Sequence, residues 1–186
     1  WRNYEKARVS FNDISNAGDT IAFCRGGVFL HSNADGTRWV NTRCLAGNRC
    51  IVRDYIPGWG NGNESAPIIK SVDEANGFNL EDGANADHDE GYVFKNLHVV
   101  GNGTSFRGFF LYNDVDDVLF DNLIIEYFRF GINIERFNTL NPGSDGYSDR
   151  ITLRNSIIKH NVGQGWMGSC DNCIIENNYF EDNGFG

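Results

Sequence analysis

One short phrase recurs along the second half of the chain and constrains its fold more than any other feature. Each copy has an apolar run ending in Asn, a second apolar run, a few turn residues, and then Gly with an apolar alternation. Copies begin at Val93, Leu119 and Thr152, and a fourth begins at Ile174 and stops unfinished. Three strands per copy, with a period of about twenty-two residues plus insertions, predict a β-solenoid.

The Asn of each copy also favours stacked turns. Asn tolerates the left-handed backbone of a tight two-residue turn. When the same turn stacks from coil to coil, Asn amides can hydrogen-bond along the column. The residues in question are Asn96, Asn122, Asn155 and Asn177.

The repeated phrase with its Asn corner resembles the right-handed parallel β-helix of the pectate-lyase-like superfamily, over most of the chain. The resemblance implies an all-β, single-domain fold over 1–186 with about four to five coils. It does not imply one function, because this fold hosts lyases, hydrolases, adhesins and phage tail parts. Of the Asn-Thr-Asp, Asp-Asp and Gly-His-Gly signatures of polygalacturonase-type hydrolases, only Asp116-Asp117 is present. The pectate lyase pattern, an Arg base with Pro two residues on, is absent, so no specific enzyme family is indicated.

The two ends of the chain carry different expectations. Apolar residues at three-to-four spacing predict an amphipathic capping helix over 1–17; they are Trp1, Tyr4, Ala7, Phe11 and Ile14. A helix followed by Ala-Gly-Asp-Thr-Ile resembles the N-terminal cap of parallel β-helices, which covers the open core. Coils are expected over 18–186. The last copy stops in mid-coil, so we expect an incomplete C-terminal end that continues in the native chain or packs against a partner.

Composition and cysteine spacing narrow the setting. A net charge of −9 argues against nucleic acid or an anionic membrane surface as partner. No run of about eighteen apolar residues exists, so membrane insertion is not expected. Cys44 and Cys50 could close one disulfide and Cys170 and Cys173 another, leaving Cys24 over; metal or redox chemistry is the alternative. The fold and the disulfides favour an extracellular, periplasmic or cell-surface protein.

The Gly of five phrases, at 27, 77, 108, 131 and 165, sets a predicted register. Alternate residues of a strand point to opposite faces, so every second residue after Gly should face the core. The first inward column would be Val28, Phe78, Phe109, Ile132 and Trp166, and the second Leu30, Leu80, Leu111, Ile134 and Gly168. All but the last are apolar, which supports the alignment.

The outward columns of this register nominate a candidate site. They are Phe29, Asn79, Phe110, Asn133 and Met167, and beside them His31, Glu81, Tyr112, Glu135 and Ser169. In the enzymes that the chain resembles, this strand face forms the substrate groove. Two strand spacings would place Glu81 and Glu135 roughly 9.6 Å apart, near the upper end of the roughly 6.5–9.5 Å seen in inverting glycosidases. His31 would lie one coil from Glu81 and could share its proton.

The same face supplies candidate substrate contacts. Tyr112, Asn133, Phe110 and Asp114 are expected to bind substrate beside the catalytic candidates. Exposed aromatic rings stack on pyranose rings; the aromatic residues expected on loops or on the outward face are Trp39, Trp59, Phe110, Tyr112 and Tyr147. The alternative is that the outward Glu and His residues are simply solvated.

The turn after Tyr112 contains a candidate metal site. Asp114, Asp116 and Asp117 are clustered carboxylates, which can hold Ca²⁺, and calcium is the candidate cofactor. The alternative is that these residues form the backbone hydrogen bonds for which Asp is common in turns.

Two hypotheses of function follow. The first is an extracellular protein that interacts with a polysaccharide or another glycan, as a glycoside hydrolase, a polysaccharide lyase or a binder. The second is a non-catalytic structural or adhesive module, or a subunit of a larger surface assembly, with end-on contacts to further coils or another subunit. The missing catalytic signatures and the unfinished last copy favour the second hypothesis, and the aromatic outward face favours the first.

Overall fold

The computed structural model describes residues 3–13, 18–33, 37–82, 90–136 and 145–184. Within these residues the fold is all-β with a single short helix, α1 (Tyr4–Asp13). Strands β1 to β17 form three sheets in which all pairings between strands are parallel. This architecture is compatible with a parallel β-helix.

Each sheet receives every third strand of the chain. Sheet A contains β1 (Thr20–Cys24), β4 (Cys50–Tyr55), β7 (Tyr92–Lys95), β10 (Leu119–Asp121), β13 (Thr152–Arg154) and β16 (Ile174–Glu176). Sheet B contains β2 (Val28–His31), β5 (Ile68–Ser71), β8 (His98–Val100), β11 (Ile124–Glu126), β14 (Ile157–Lys159) and β17 (Tyr179–Glu181). Sheet C contains β3 (Arg38–Trp39), β6 (Phe78–Glu81), β9 (Arg107–Tyr112), β12 (Phe130–Glu135) and β15 (Trp166–Met167). Three consecutive strands, one from each sheet, make a layer; β1–β3 form layer 1, and β16 and β17 form layer 6.

The predicted N-terminal helix is present and packs against layer 1. It begins after Asn3, whose side-chain oxygen accepts a hydrogen bond from the Lys6 backbone N–H at 2.8 Å, as a helix N-cap does. Tyr4, Ala7 and Phe11 are fully buried in the core. The helix is shorter than the predicted 1–17, and Trp1 and Ile14 lie outside the described residues.

A stack of aromatic rings fills the core across the layers. The rings of Phe78 and Phe109, on adjacent strands of sheet C, are 4.8 Å apart and nearly parallel. Phe94 and Phe120 of sheet A pack on Phe109 at 5.1 Å and 4.7 Å. All four side chains are fully buried, so their inward positions fix the register of sheets A and C.

The Asn corners between sheets A and B have the predicted geometry. Asn96, Asn122, Asn155 and Asn177 all have φ between 54° and 58°, the left-handed region. The Asn122 side-chain amide donates to Asn96 Oδ1 at 2.8 Å, which links two layers along the corner. The corner therefore provides both the backbone turn and a stacking contact.

The predicted register is confirmed for four Gly phrases and is wrong for the first. The phrases at Gly77, Gly108, Gly131 and Gly165 lead into β6, β9, β12 and β15, which pair side by side in sheet C. The phrase at Gly27 instead leads into β2, which pairs with β5 in sheet B. The reason is the short turn at residues 25–27, which is a corner between sheets A and B like those at Asn96 and Asn122.

This difference reverses the faces of the first phrase. Val28 and Leu30, predicted to face inward, are each 57% exposed, whereas Phe29 and His31 are buried. The strand that lies beside β6 is β3, so that Trp39 pairs with Leu80. The sequence interpretation had placed Trp39 in a loop.

Both predicted disulfides are present. Cys44 is bonded to Cys50 in the connection from β3 to β4, and Cys170 is bonded to Cys173 ahead of β16. Cys24 is a free thiol. No helix among the described residues is long and apolar enough to cross a membrane.

Candidate functional site

The outward column predicted from the Gly phrases exists on sheet C. Glu81 pairs with Tyr112, and Tyr112 pairs with Glu135, on the adjacent strands β6, β9 and β12. Two strand spacings separate the carboxyl-bearing residues, about 9.6 Å along the sheet. Tyr112 lies between them and is partly exposed. The structure therefore brings together three of the predicted site residues.

A second column runs beside the first and is tied together by Arg107. Asn79, Phe110, Asn133 and Met167 occupy adjacent strands in this column. Arg107 Nε donates to Asn133 Oδ1 at 2.5 Å. Its guanidinium carbon also lies 3.9 Å from the centroid of the Phe110 ring, a cation–π contact. Phe110 and Asn133 are consequently buried, at 7% and 0% exposure, although both point away from the core.

Each of the two glutamates is held by an arginine. Arg107 donates to Glu135 Oε1 at 2.6 Å. Arg38 Nε lies 2.6 Å from Glu81 Oε2, and the Asn79 amide donates to Glu81 Oε1 at 3.1 Å. Burial raises the pKa of Glu81, and the charge of Arg38 and the hydrogen bond from Asn79 oppose this. The charges on this face are thus largely balanced within it.

This arrangement has a definite chemical capacity. A carboxyl group with a raised pKa is suited to act as a general acid, and a carboxylate about two strands away could activate water. Both groups are also strong hydrogen-bond acceptors for hydroxyl groups, and Tyr112 offers an aromatic ring between them. Glu81 and Glu135 are each ion-paired with an arginine. In a catalytic role they would have to transfer protons while these ion pairs are present.

His31 does not lie on this face. It follows Leu30 in sheet B, is 1% exposed, and its ring stacks on the Tyr4 ring of α1 at a centroid distance of 4.2 Å. The expectation that it lies one coil from Glu81 is wrong, because β2 pairs with β5 and His31 is opposite Ser71.

The aromatic candidates are distributed over several parts of the fold. Trp39 is fully buried in the core and donates from Nε1 to the Tyr4 hydroxyl at 2.7 Å, so it is not an exposed contact as expected. Tyr147 is partly exposed, with the Arg136 guanidinium carbon 3.8 Å from its ring centroid. Trp59 is 74% exposed, but it lies in the connection between sheets A and B and away from the sheet C columns.

The arginines of this face were missed by the sequence interpretation. Arg107 begins β9, and Arg129 and Arg136 stand on either side of β12. Arg129 lies over the rings of Phe106 and Phe130, at 5.8 Å and 5.3 Å. The available signal was an arginine next to Gly in the phrase, as at Arg107-Gly108. Strand alternation does not reveal where such a long side chain turns, so the contacts with Glu135 and Phe110 could not be inferred.

The acidic turn after β9 forms a separate, largely buried cluster. Asp114, Asp116 and Asp117 are 4–7% exposed. Arg150 donates to both Asp116 and Asp117, in each case at 2.8 Å. The Asp114 carboxylate accepts a hydrogen bond from the Asp145 backbone N–H at 3.1 Å. Asp114 is therefore engaged within the fold rather than displayed beside Tyr112.

Carboxylates in this region form a ladder with the backbone of the next layer. Glu90 accepts from the Asp116 N–H at 2.8 Å, Asp116 from the Asp149 N–H at 2.5 Å, and Asp149 from the Asp171 N–H at 3.2 Å. Burial raises the pKa of Asp116 to about 7, despite the opposing Asp149 hydrogen bond and the Arg150 charge; the nearby Asp114 charge adds to the rise. These acids thus make the backbone hydrogen bonds that are common for Asp in turns.

The described residues contain no group of three or more His, Cys, Asp or Glu side chains arranged to hold a metal ion. Asp114, Asp116 and Asp117, the calcium candidates, belong to the cluster around Arg150 just described. A role for calcium at this turn stays a prediction.

Comparisons with known proteins add no function to this geometry. No protein-family model matches the chain, and neither the curated proteins nor the solved structures searched contain a match.

Proposed function

We propose that the three sheets are the faces of a right-handed parallel β-helix of the pectate-lyase-like type, and that sheet C binds an extended polysaccharide. The A–B–C order of the strands and the left-handed Asn corners support the fold. The observation that carries the binding proposal is the column of Glu81, Tyr112 and Glu135 on three adjacent strands. Together with Arg107, it offers acceptors, donors and an aromatic ring over about two strand spacings.

The chemistry of the face suits a hydroxylated ligand. Sugar hydroxyl groups both donate and accept, and the carboxylate and guanidinium groups here supply both complements. Because Arg38 and Arg107 already neutralise Glu81 and Glu135, the ligand is held by hydrogen bonds and ring contacts more than by net charge. Binding should therefore depend weakly on salt concentration.

Cleavage of the bound polysaccharide is a further step of the same proposal. Glu81, with its raised pKa, would be the general acid and Glu135 the base that activates water. Binding does not require this step, since the same residues serve as hydrogen-bond acceptors.

The proposal is tested by titrating the whole chain with a panel of neutral and acidic polysaccharides by calorimetry. Tyr112→Ala should weaken binding by up to about tenfold through the lost ring contact. Leu30→Ser, on the exposed face of sheet B, is the control and should leave affinity unchanged. Products that form with the wild type and are lost in Glu135→Gln, with binding retained, would establish cleavage. A panel with no bound member would contradict the proposal.

We place the protein outside the cytosol. The two disulfides support this location, since disulfides persist in oxidising compartments.

A second candidate function is a structural module whose layer 6 is covered end-on by further coils or by another subunit, and one observation favours it. Ile175 and Phe180 continue the inward columns of Leu153 and Ile158, yet they are 48% and 43% exposed on layer 6. Strands at the end of a sheet also present unpaired backbone groups, which favours pairing with another strand.

A partner of this end would carry a parallel strand edge and apolar side chains. Phe180→Lys should abolish any concentration-dependent association seen by light scattering. Val28→Lys, an exposed position on sheet B, is the matched control. Association that is equally strong in Phe180→Lys would contradict assembly through this end.

A further inference from the structure

A cavity lies at the corner between sheets A and B, on a different part of the molecule from the sheet C columns. Its volume is about 250 Å³. It is lined by charged, amide-bearing and apolar side chains: Arg25, Asp54, Ala66, Asn96, Leu97, Asn122 and Ile124.

The cavity exists because the corner of layer 2 is not a tight turn. In layers 3 and 4 the chain passes from sheet A to sheet B through Asn96 and Asn122 in the left-handed conformation. After β4 it instead runs through residues 56–67 before β5 begins. This segment is attached to the neighbouring corner by a hydrogen bond from the Gly26 N–H to the Ser65 carbonyl at 2.9 Å. The insertion therefore stands beside the Asn corner and encloses space.

The polar groups of the cavity are connected but incompletely satisfied. Asp54 Oδ1 accepts from the Asn96 amide at 2.8 Å, and Asn96 Oδ1 accepts from the Asn122 amide. Arg25 Nε is 3.6 Å from Asp54 Oδ2, which is too long for a hydrogen bond, and this buried nitrogen has no hydrogen-bond partner. A buried donor without an acceptor is uncommon, so a water molecule or a ligand in the cavity is expected to supply the missing acceptor.

The charge around Arg25 excludes an anionic ligand as the best fit. Asp54 faces the guanidinium group directly. The pKa of Glu64 is lowered, mainly by hydrogen bonds from the backbone of the 61–64 turn and to a smaller extent by the charge of Arg25. Two carboxylates thus lie near one guanidinium group, so the preferred ligand is neutral with both donors and acceptors.

The remaining lining of the cavity is apolar, and an exposed aromatic ring lies near one of its corners. Leu97 and Ile124 give it an apolar wall. Trp59 is not a lining residue, but it is 74% exposed, and its ring edge comes within 3.9 Å of the position that a Cβ would occupy on Gly26, the neighbour of the lining residue Arg25. An exposed Trp next to a polar cavity provides a stacking surface that is costly to leave in water.

We infer that this cavity binds one neutral sugar unit, either a free monosaccharide or the end of a glycan chain. The Arg25, Asp54 and Asn122 side chains would bond the hydroxyl groups, and Trp59 would contact the apolar face of the ring. The volume is below the roughly 300–1,000 Å³ of sites for drug-sized ligands, which suits a single ring. The site is independent of the polysaccharide proposal for sheet C, since the two share no residue.

The test is a titration of the ¹⁵N-labelled whole chain by NMR with methyl glycosides of glucose, galactose, mannose and N-acetylglucosamine. At least one should give saturable shifts at the amides of Gly26, Leu97 and Ile124. Trp59→Ala should weaken this binding by about two- to tenfold, and Arg25→Met by about tenfold or more. Tyr179→Ala, which removes an exposed aromatic ring from β17, is the matched control and should have no effect.

Oligosaccharides ending in the same unit separate the two sources of the ligand. Equal affinity per chain end supports a site for a terminal unit, and loss of binding in the longer chain supports a site for the free sugar. Tyr112→Ala on sheet C should leave these shifts intact, whereas it should weaken polysaccharide binding. The inference is overturned if none of the four glycosides binds saturably, or if binding persists unchanged in both Trp59→Ala and Arg25→Met.

Discussion

Layers 1 and 2 use the same three sheets as layers 3 to 5 but differ from them at the corners. In layers 3 to 5 a two-residue corner that begins with a left-handed Asn joins sheet A to sheet B, and the strands that follow align in columns. In layers 1 and 2 the same corner is the turn at residues 25–27 and the insertion at 56–67. The regular layers thus produce stacked side chains, whereas the irregular ones produce a helix-covered end, a buried histidine and a cavity.

The difference shows that the length of the corner between sheets A and B determines which residues of a layer are available to contact a ligand. A two-residue corner, such as Asn96-Leu97, leaves no room for a binding pocket of its own. The available contacts are then side chains of the strands, such as Tyr112 and Glu135. A longer corner, such as residues 56–67, adds exposed side chains outside the sheets, and Trp59 is one of them. Four predictions test this contrast through stability: three substitutions, from the largest expected loss to the smallest, and then one pH dependence.

The largest effect is expected in the aromatic core of the regular layers. Phe94 lies within 5.0–6.3 Å of the rings of four residues, namely Trp39, Phe78, Phe109 and Phe120. Phe94→Ala should lower the free energy of unfolding by about 3–5 kcal/mol. Phe29→Ala in layer 1, where Phe23 is the aromatic neighbour, should fall at the low end of that range. Urea denaturation measures both, and an equal or larger loss at Phe29 would break the contrast.

The next largest loss of stability is expected on removing the disulfide that connects layers 1 and 2. The disulfide between Cys44 and Cys50 closes a short loop, with a sequence separation of 6. Replacing both residues by Ser should cost about 2 kcal/mol, because the unfolded chain regains the loop-closure entropy. Thermal unfolding of the double variant measures the loss, with the corresponding Cys170 and Cys173 double variant as the comparison at the other end. Unchanged stability on removing the first bridge would show that its loop is held by packing alone.

A smaller effect is expected at the Asn corner itself. Asn122 has φ 55° and donates to Asn96, so Asn122→Ala loses a hydrogen bond and strains the backbone. We expect a loss of about 1–2 kcal/mol. Asn122→Gly should lose less, since Gly adopts positive φ freely. If the Gly variant is as unstable as the Ala variant in urea, the side-chain contact and not the backbone turn dominates the corner.

The last prediction is a pH dependence of stability in the acidic turn. The pKa of Asp116 is raised from 3.8 to about 7, so the folded state holds this proton more tightly than the unfolded state. Its contribution to stability is therefore full below about pH 4 and is lost as the pH rises through 7. Asp116→Asn mimics the protonated group, so it should gain stability relative to the wild type as the pH rises.

Unfolding free energies measured across this pH range test the point. Asp19→Asn, at an exposed position just before β1, is the control and should follow the wild type. Parallel profiles for the wild type and Asp116→Asn would contradict the raised pKa.

Much of the regular half could be predicted from the sequence, for a physical reason. Each repeated pattern indicates one kind of structure. The repeated Asn indicates a turn with positive φ, the repeated Gly indicates close approach of neighbouring layers, and the apolar alternation indicates a strand. A Cβ on Gly108 would meet the Gly131 carbonyl oxygen at 2.5 Å, so Gly is required there by the stacking of layers. The columns of Glu81, Tyr112 and Glu135 followed from that repeat.

The irregular half could not be read in the same way. The Gly27 phrase has the apolar alternation of the later copies, but alternation does not state which sheet a strand joins. The short strand at Arg38–Trp39 has only two residues, too few to show a period. The arginine contacts of Glu81 and Glu135 were also out of reach, because they depend on where long side chains turn after the register is set.

The most direct test of the account is to map a bound oligosaccharide on the ¹⁵N-labelled protein by NMR. The oligosaccharide is taken from the best-binding polysaccharide of the panel. If sheet C is the binding face, the amides that shift in proportion to occupancy will be those of β6, β9 and β12, centred on Tyr112. Shifts confined to other strands, with the amides of Glu81, Tyr112 and Glu135 unmoved at saturation, would contradict it.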